Sequence, residues 1–267
     1  MVMKKFINAP ENLTQELLEG MCKAYNDKIK LEDGKIVARA KPKSEDKVAI
    51  ITLGGAGHEP ALSGFVGEGM LDASVVGDIF AAPNAVAVLA AMRKFKREAG
   101  ILLVVLNHAG DVMSSNMAMK MAEREGIKFK SILVAEDISA GLDTPKADRR
   151  GLAGCIPLIK VAGAAAEEGK SLDEVFAIAE KFNKRIATLA VAMTGCTHPQ
   201  NGSPISELAD DEMEIGMGQH GEGGGGRSKI LSADETAKIM FENLAKAIDL
   251  KRGERIFTII NGTGAST

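Results

Sequence analysis

The chain has 267 residues, enough for one large or two medium α/β domains around a buried core. Apolar residues make up 45% and aromatic residues only 4%, so that core must be built from Ala, Val, Ile, Leu and Met. A net charge of −3 and the lack of a dense Lys/Arg run argue against a nucleic-acid or membrane-surface partner.

The first residues, MVMKKFINAPENL, carry two lysines but no apolar stretch after them, so no secretory signal is expected. No apolar run approaches the roughly 18 residues a membrane helix needs. Leu13, Leu17, Leu18, Met21 and Tyr25 recur at helical spacing and predict a helix over 11–26. Val48–Leu53 reads as a buried strand and Ala73–Val76 as a shorter one. Pro83–Lys96 reads as a helix with proline in its first turn. Ile101–Leu106 is continuously apolar, as a central strand is. A helix is expected over Asp111–Gly126 and a strand over Phe129–Ala135. This alternation predicts an α/β sheet with both faces covered.

Residues 150–184 look helical, with a break near Gly169 and a new start after Ser171. Ile186–Met193 opens another strand, which places a domain boundary near residue 184. The expected domains are therefore 1–184 and 185–267. The second holds a polar segment, Thr194–Asp211, and a glycine-rich stretch. It also holds a helix over 233–249 opened by a Ser232/Glu235 capping box. Arg255–Ile260 reads as a last strand, followed at 262–267 by a strand-to-helix turn with no helix after it. On this reading the second α/β domain stops short at the C-terminus. Cys22, Cys155 and Cys196 are odd in number and far apart. They match neither a disulfide framework nor a zinc site, and a reducing cytoplasm is expected.

Three segments can carry chemistry. Leu53-Gly-Gly-Ala-Gly-His-Glu-Pro60 follows a strand, and its glycines let backbone approach a ligand closely. It reads either as a cradle with His58 pointing inward or as a tight turn with an incidental histidine. Asn107-His-Ala-Gly-Asp111 follows another strand, where ligands of open α/β sheets bind. Asp111 there is either a ligand contact or a helix cap. Gly216-Met-Gly-Gln-His-Gly-Glu-Gly-Gly-Gly-Gly-Arg227 contains a literal G-x-G-x-x-G, but four more glycines follow where a helix should open, so it is not a dinucleotide fingerprint. Its small residues leave His220 either accessible to a bound molecule or simply exposed on a flexible loop. Met113, Met117 and Met121 read as a core stripe, His198 as a turn residue, and His108 stays undecided. Asp210, Asp211, Glu212 and Glu214 read either as a solvated acidic face or as a metal-binding cluster. There is no P-loop and no H-E-x-x-H metal motif.

Taken together, these segments resemble the substrate-binding subunit of dihydroxyacetone kinases. The resemblance extends through Met3–Asn8, Gly54–Pro60, Gly67–Met70, Gly77–Phe80, Asn107–Asp111, Arg149–Gly154 and, most specifically, Asp211–Glu222. It implies two α/β domains with mixed sheets, paired as a homodimer. It also implies that His220 captures a ketone as a hemiaminal. His58 and Asp111 would be the catalytic partners, and Gly55, Ala56 and Gly57 further substrate contacts. The implied ligand is dihydroxyacetone or a similar short ketose. No metal or cofactor is expected on this chain: the nucleotide and Mg would sit on a separate kinase subunit, recharged by a phosphoryl-relay protein. The chain departs from the family pattern at Ala56, where serine is common, and at Leu106, where lysine often stands. Two alternatives follow from these departures: a ketone sensor acting on a transcription regulator, and a kinase subunit for a four-carbon ketose.

Overall fold

The structure is a computed structural model that describes residues 5–263. Its first helix, α1 (Leu13–Ala24), leads into a hairpin of β1 (Ile29–Glu32) and β2 (Ile36–Arg39). There follow β3 (Ala49–Ala56), β4 (Ala73–Ile79), α2 (Ala85–Lys94), β5 (Ile101–Leu106), α3 (Ala109–Arg124) and β6 (Phe129–Val134). The six strands form one mixed sheet in the order β1-β2-β4-β3-β5-β6. β3 pairs in parallel with β4 and β5, and β5 with β6, while β1–β2 and β2–β4 are antiparallel.

Strand periodicity explains how this sheet is covered. Side chains alternate across a strand, so a strand buried on both faces is apolar throughout. In β5, Leu102, Val104 and Leu106 face one cluster with Leu18, Leu158 and Val175, from α1 and from α4 (Cys155–Glu167) and α5 (Leu172–Asn183). Ile101, Leu103 and Val105 face a second cluster with Val88, Leu89, Ala118 and Ala122 of α2 and α3. All six residues of β5 are buried. Each such side chain contributes about 1.5–3 kcal/mol of hydrophobic stabilisation. The carboxyl ends of β3, β4 and β5 consequently open at one rim.

A second, three-stranded antiparallel sheet is made by β7 (Val191–Ala192), β8 (Glu212–Ile215) and β9 (Gly226–Lys229), followed by α6 (Ala233–Ala247). Thr188 ties this part to the end of β6. Its amide donates to the Glu136 carbonyl and its hydroxyl to the Glu136 carboxylate, both at 3.0 Å. The buried carboxylate also accepts from the Leu152 and Gly154 amides at the start of α4.

Three expectations of the fold need correction, and one element was not foreseen. The β1–β2 hairpin was not expected. The strand foreseen over Ile186–Met193 shrinks to Val191–Ala192, with Thr188 forming only an isolated bridge to Asp137. Arg255–Ile260 pairs with no strand among the described residues, and Phe257 and Ile260 are exposed. The turn foreseen at 262–267 lies mostly outside the described residues. Finally, Met113 and Met117 are not core: they are 69% and 58% exposed. α3 instead buries Ser115, Ala118 and Ala122, because small residues allow it to lie close to the sheet and to α2. The methionines fall on the outer face, beside a shallow groove lined by Asn107, Val112 and Asn116. Both capping boxes form as the spacing requires, Ser232 with Glu235 and Ser171 with Glu174.

Candidate active site

His58, His108 and Asp111 follow strand ends of the first sheet, whereas His220 arrives on the loop between β8 and β9. The loop brings the His220 ring to centroid distances of 4.9 Å from His58 and 5.3 Å from His108. The Nε2 atoms of His58 and His220 are 3.0 Å apart, a hydrogen bond in which one ring donates and the other accepts. Phe80 forms the wall behind them, 5.1 Å from His58, 5.8 Å from His220 and 5.4 Å from His198. His198 does sit in a turn, with its amide donating to the Ser203 carbonyl, but its ring also packs on this wall.

The turn after β3 is shaped by Gly57. Its φ is +97°, and a Cβ there would lie 2.7 Å from the Phe80 ring. The Gly57 amide donates to the Glu59 carboxylate at 3.0 Å. The Ala56 carbonyl accepts from the Phe80 amide at 2.8 Å, and the Ala56 methyl is fully buried in the core. Of the predicted contacts, Ala56 therefore presents no side chain to a ligand. Gly55 is packed against the Ala81 backbone, since a Cβ there would meet the Ala81 nitrogen at 2.8 Å. His58 is the side chain the turn delivers.

Asp111 lies in the first turn of α3 and is 8% exposed. No side chain caps that helix, so the capping reading of Asp111 does not hold. Its Oδ1 has no hydrogen-bond partner among the described residues. Burial pushes its pKa up to about 7, partly offset by the nearby His220. Burial likewise holds His58 down to about 4, with His220 and His108 adding repulsion, so His58 is neutral at pH 7. His108 is lowered as well, chiefly by burial, and hydrogen-bonds the Gly151 carbonyl through Nε2 at 2.8 Å. Because a carbonyl only accepts, that nitrogen carries the proton.

Glu222 completes the cluster. Its carboxylate accepts from the His220 amide at 2.8 Å and meets His220 Nδ1 at 3.3 Å. The side-chain hydrogen bond with His220 is the main reason its pKa falls to about 2. Arg150 frames the same loop. Its guanidinium bonds the buried Asp137 carboxylate at 2.8 Å, the Gly216 carbonyl at 2.5 Å and the Glu222 carbonyl at 3.3 Å. Gly218 leaves room for both groups: a Cβ there would lie 2.3 Å from the Glu222 carboxyl carbon and 2.4 Å from Arg150 Nη1. Sequence reasoning passed over Glu222, Arg150 and Phe80, although each lies in a segment that carried the resemblance. His108, His220 and Glu222 also bring one donor atom each to within 4.8 Å of one another, the nearest approach to a metal-ligand set among the described residues.

This arrangement offers a neutral imidazole, a second imidazole in hydrogen-bond contact with it, and a buried acid that titrates near neutrality. Such a set can attack an electrophilic carbon and move protons around it.

The Dak1 domain model matches residues 19–267. The dihydroxyacetone-binding subunit DhaK of a PTS-dependent dihydroxyacetone kinase from Listeria innocua is 39% identical over 264 residues, covering 99% of this chain and 80% of that protein. The crystal structure of the dihydroxyacetone kinase of C. freundii superposes with a TM-score of 0.84 at 34% identity, covering 92% of this chain and 45% of that one. A dihydroxyacetone kinase operon co-activator, Dha-DhaQ, superposes with a TM-score of 0.82, also at 34% identity, over 88% of this chain and 72% of that one. The chain belongs to the Dak1 family, alongside the dihydroxyacetone-binding subunits of dihydroxyacetone kinases.

Proposed function

We propose that this chain is the substrate-binding subunit of a dihydroxyacetone phosphotransferase. It captures dihydroxyacetone, or a similarly short ketose, as a hemiaminal on His220 and presents it to a separate nucleotide-binding subunit. The observation that carries this reading is the 3.0 Å contact between His220 and a His58 held neutral by burial. A hydrogen bond between two ring nitrogens needs a lone pair on one of them, so the contact sets an N–H of one ring against the basic nitrogen of the other.

In this reading the ketone carbon becomes tetrahedral on the ring nitrogen, which fixes the orientation of the terminal hydroxyls. Phosphoryl transfer is then mainly a matter of positioning and charge stabilisation. Asp111 accepts the proton of the reacting hydroxyl, for which a pKa near 7 is well matched, and His58 orients it. Glycerol, with no electrophilic carbon, is not captured. The partner subunit carries the nucleotide and its Mg, a phosphoryl-relay protein recharges it, and this subunit works as a cytoplasmic homodimer without a cofactor of its own.

Carbon NMR with dihydroxyacetone labelled at its carbonyl tests the capture step. The bound resonance should move from a ketone to a tetrahedral carbon, and His220→Ala should abolish the shift. A bound ligand that keeps its ketone signal would exclude capture. A second reading is favoured by the likeness to the operon co-activator: a ketone sensor without turnover. Reconstitution with the nucleotide-binding subunit separates the two. Turnover of any short ketose excludes the pure sensor, and preference for a tetrulose moves the substrate to four carbons.

A further inference from the structure

The exposed face of α3 and the groove between α1 and the His58 turn offer nothing that names an occupant. The loop around His220 carries more. It contains a carboxylate that the capture chemistry as stated does not use, and that carboxylate is held with unusual care.

We propose that Glu222 is a positioning residue that fixes the tautomer of His220, holding the proton on Nδ1 so that Nε2 bears the lone pair that attacks the ketone. The proposal rests on the capture reading and adds the reason that one nitrogen, and not the other, is the nucleophile.

The argument begins with hydrogen-bond roles. An ionised carboxylate only accepts, and Glu222, held near a pKa of 2, is ionised throughout the neutral range. Its contact with His220 Nδ1 at 3.3 Å therefore requires a proton on Nδ1. Only the neutral form of an imidazole can attack a carbon, and in that form the proton on Nδ1 is the ring's single N–H, which leaves Nε2 bare. The 3.0 Å contact between the two Nε2 atoms then takes its proton from His58. The result is a directed chain in which His58 donates to His220 and His220 donates to Glu222. An orienting carboxylate on the far nitrogen of a reacting imidazole is a recurrent catalytic device.

The loop is built to hold that carboxylate. The Glu222 carboxylate also takes the His220 amide, so it grips both ends of the same residue. The Gly218 amide donates to the Glu222 carbonyl at 2.8 Å, and Arg150 anchors that carbonyl and Gly216 to the end of the first sheet. Any side chain at position 218 would displace the carboxyl group.

The chain of donors also accounts for charge during capture. The bond from Nε2 to the ketone carbon forms as the carbonyl π pair moves to oxygen. That oxygen takes one proton from a buffer acid in the solvent, which departs as its conjugate base, and Nδ1 keeps its own, so capture takes up one proton overall and the ring becomes cationic opposite the Glu222 carboxylate. His58, released from His220, has its Nε2–H free to donate to the new hydroxyl oxygen.

The test uses the full chain labelled with ¹⁵N in histidine, at pH 7.5 without ligand. Long-range proton–nitrogen correlation should show His220 protonated on Nδ1 and bare on Nε2. Glu222→Leu should shift the population toward the Nε2–H form and weaken capture of carbonyl-labelled dihydroxyacetone by about 10–100-fold, the equivalent of one hydrogen bond to a charged group. Glu222→Gln keeps an acceptor oxygen and should restore the tautomer and most of the capture. A wild-type His220 protonated on Nε2 overturns the proposal, even if Glu222→Leu fails to fold. So does a glutamine variant no better than the leucine variant. The tautomer is read without ketone, so a failure of capture itself appears separately, as a retained ketone signal in the wild type.

Discussion

Gly57→Ala puts the architecture of the pocket wall under direct test. The new methyl faces two obstacles. At φ = +97° the backbone lies where non-glycine residues are strained, at a cost of about 1–3 kcal/mol. The methyl would also sit 2.7 Å from Phe80 Cε1 and 3.3 Å from Ile79 Cγ2, and overpacking of this kind costs a further ~1–3 kcal/mol. Urea unfolding should therefore show a loss of roughly 2–6 kcal/mol by these two contributions together. The two are separable. Phe80→Ala removes the ring, so Gly57→Ala in that background should cost only the backbone share. The double-mutant cycle should then report a coupling of about 1–3 kcal/mol. Additivity within about 0.5 kcal/mol would refute the idea that glycine is needed to make room for the ring.

Other predictions follow from the same geometry. Asp111→Asn should lower turnover with the partner subunit by about 10²–10⁴-fold and flatten its pH dependence near 7. Because burial raises the folded pKa of Asp111 above its unfolded value, ionisation destabilises the fold as pH rises from about 4 through 7. The asparagine variant should thus be at least as stable as the wild type above pH 7 by calorimetry, and a large loss there would contradict an uncompensated buried carboxylate. Arg150→Leu leaves the buried Asp137 unpaired and should cost about 3–5 kcal/mol in denaturant unfolding, while Arg150→Lys recovers only part of this because it lacks the planar fork. Met113→Gln and Met117→Gln should each stay within about 0.5 kcal/mol of wild type in the same assay, as exposed positions do.

The main sheet was legible where burial is two-sided. β3 and β5 are short apolar runs bounded by glycine or polar residues, the edge strand β6 buries only Ile132 and Val134, and the helices between them have clear periods. The first hairpin was missed because Ile29–Glu32 and Ile36–Arg39 are four residues each and mix charge with apolar side chains. Its signal was present in Asp33-Gly34, whose φ values of +50° and +73° make a tight turn. The methionine spacing on α3 was helical, as read, but spacing alone does not say which stripe faces inward. Alanine and serine won that face because they allow closer approach. At the site, His58, Asp111 and His220 stood out as reactive side chains after glycines or strand ends. Arg150 did not, because its role depends on contacts with a segment some 70 residues away, such as Gly216, and Glu222 did not, because its contact with His220 two residues earlier follows from the loop's conformation and not from its spacing.

The anchoring of the His220 loop by Arg150 bears on when in its life the protein becomes reactive. Asp137 and Arg150 are made well before Gly216 and Glu222, and at a synthesis rate of about 5–20 residues per second that interval is several seconds. During it the first sheet can fold while the imidazole pair does not yet exist. Neither half of the nascent chain holds the His58–His220 contact by itself. On the capture reading, reactivity toward ketones is switched on when the His220 loop docks on Arg150, so capture of a labelled ketone would serve as a clock for that docking.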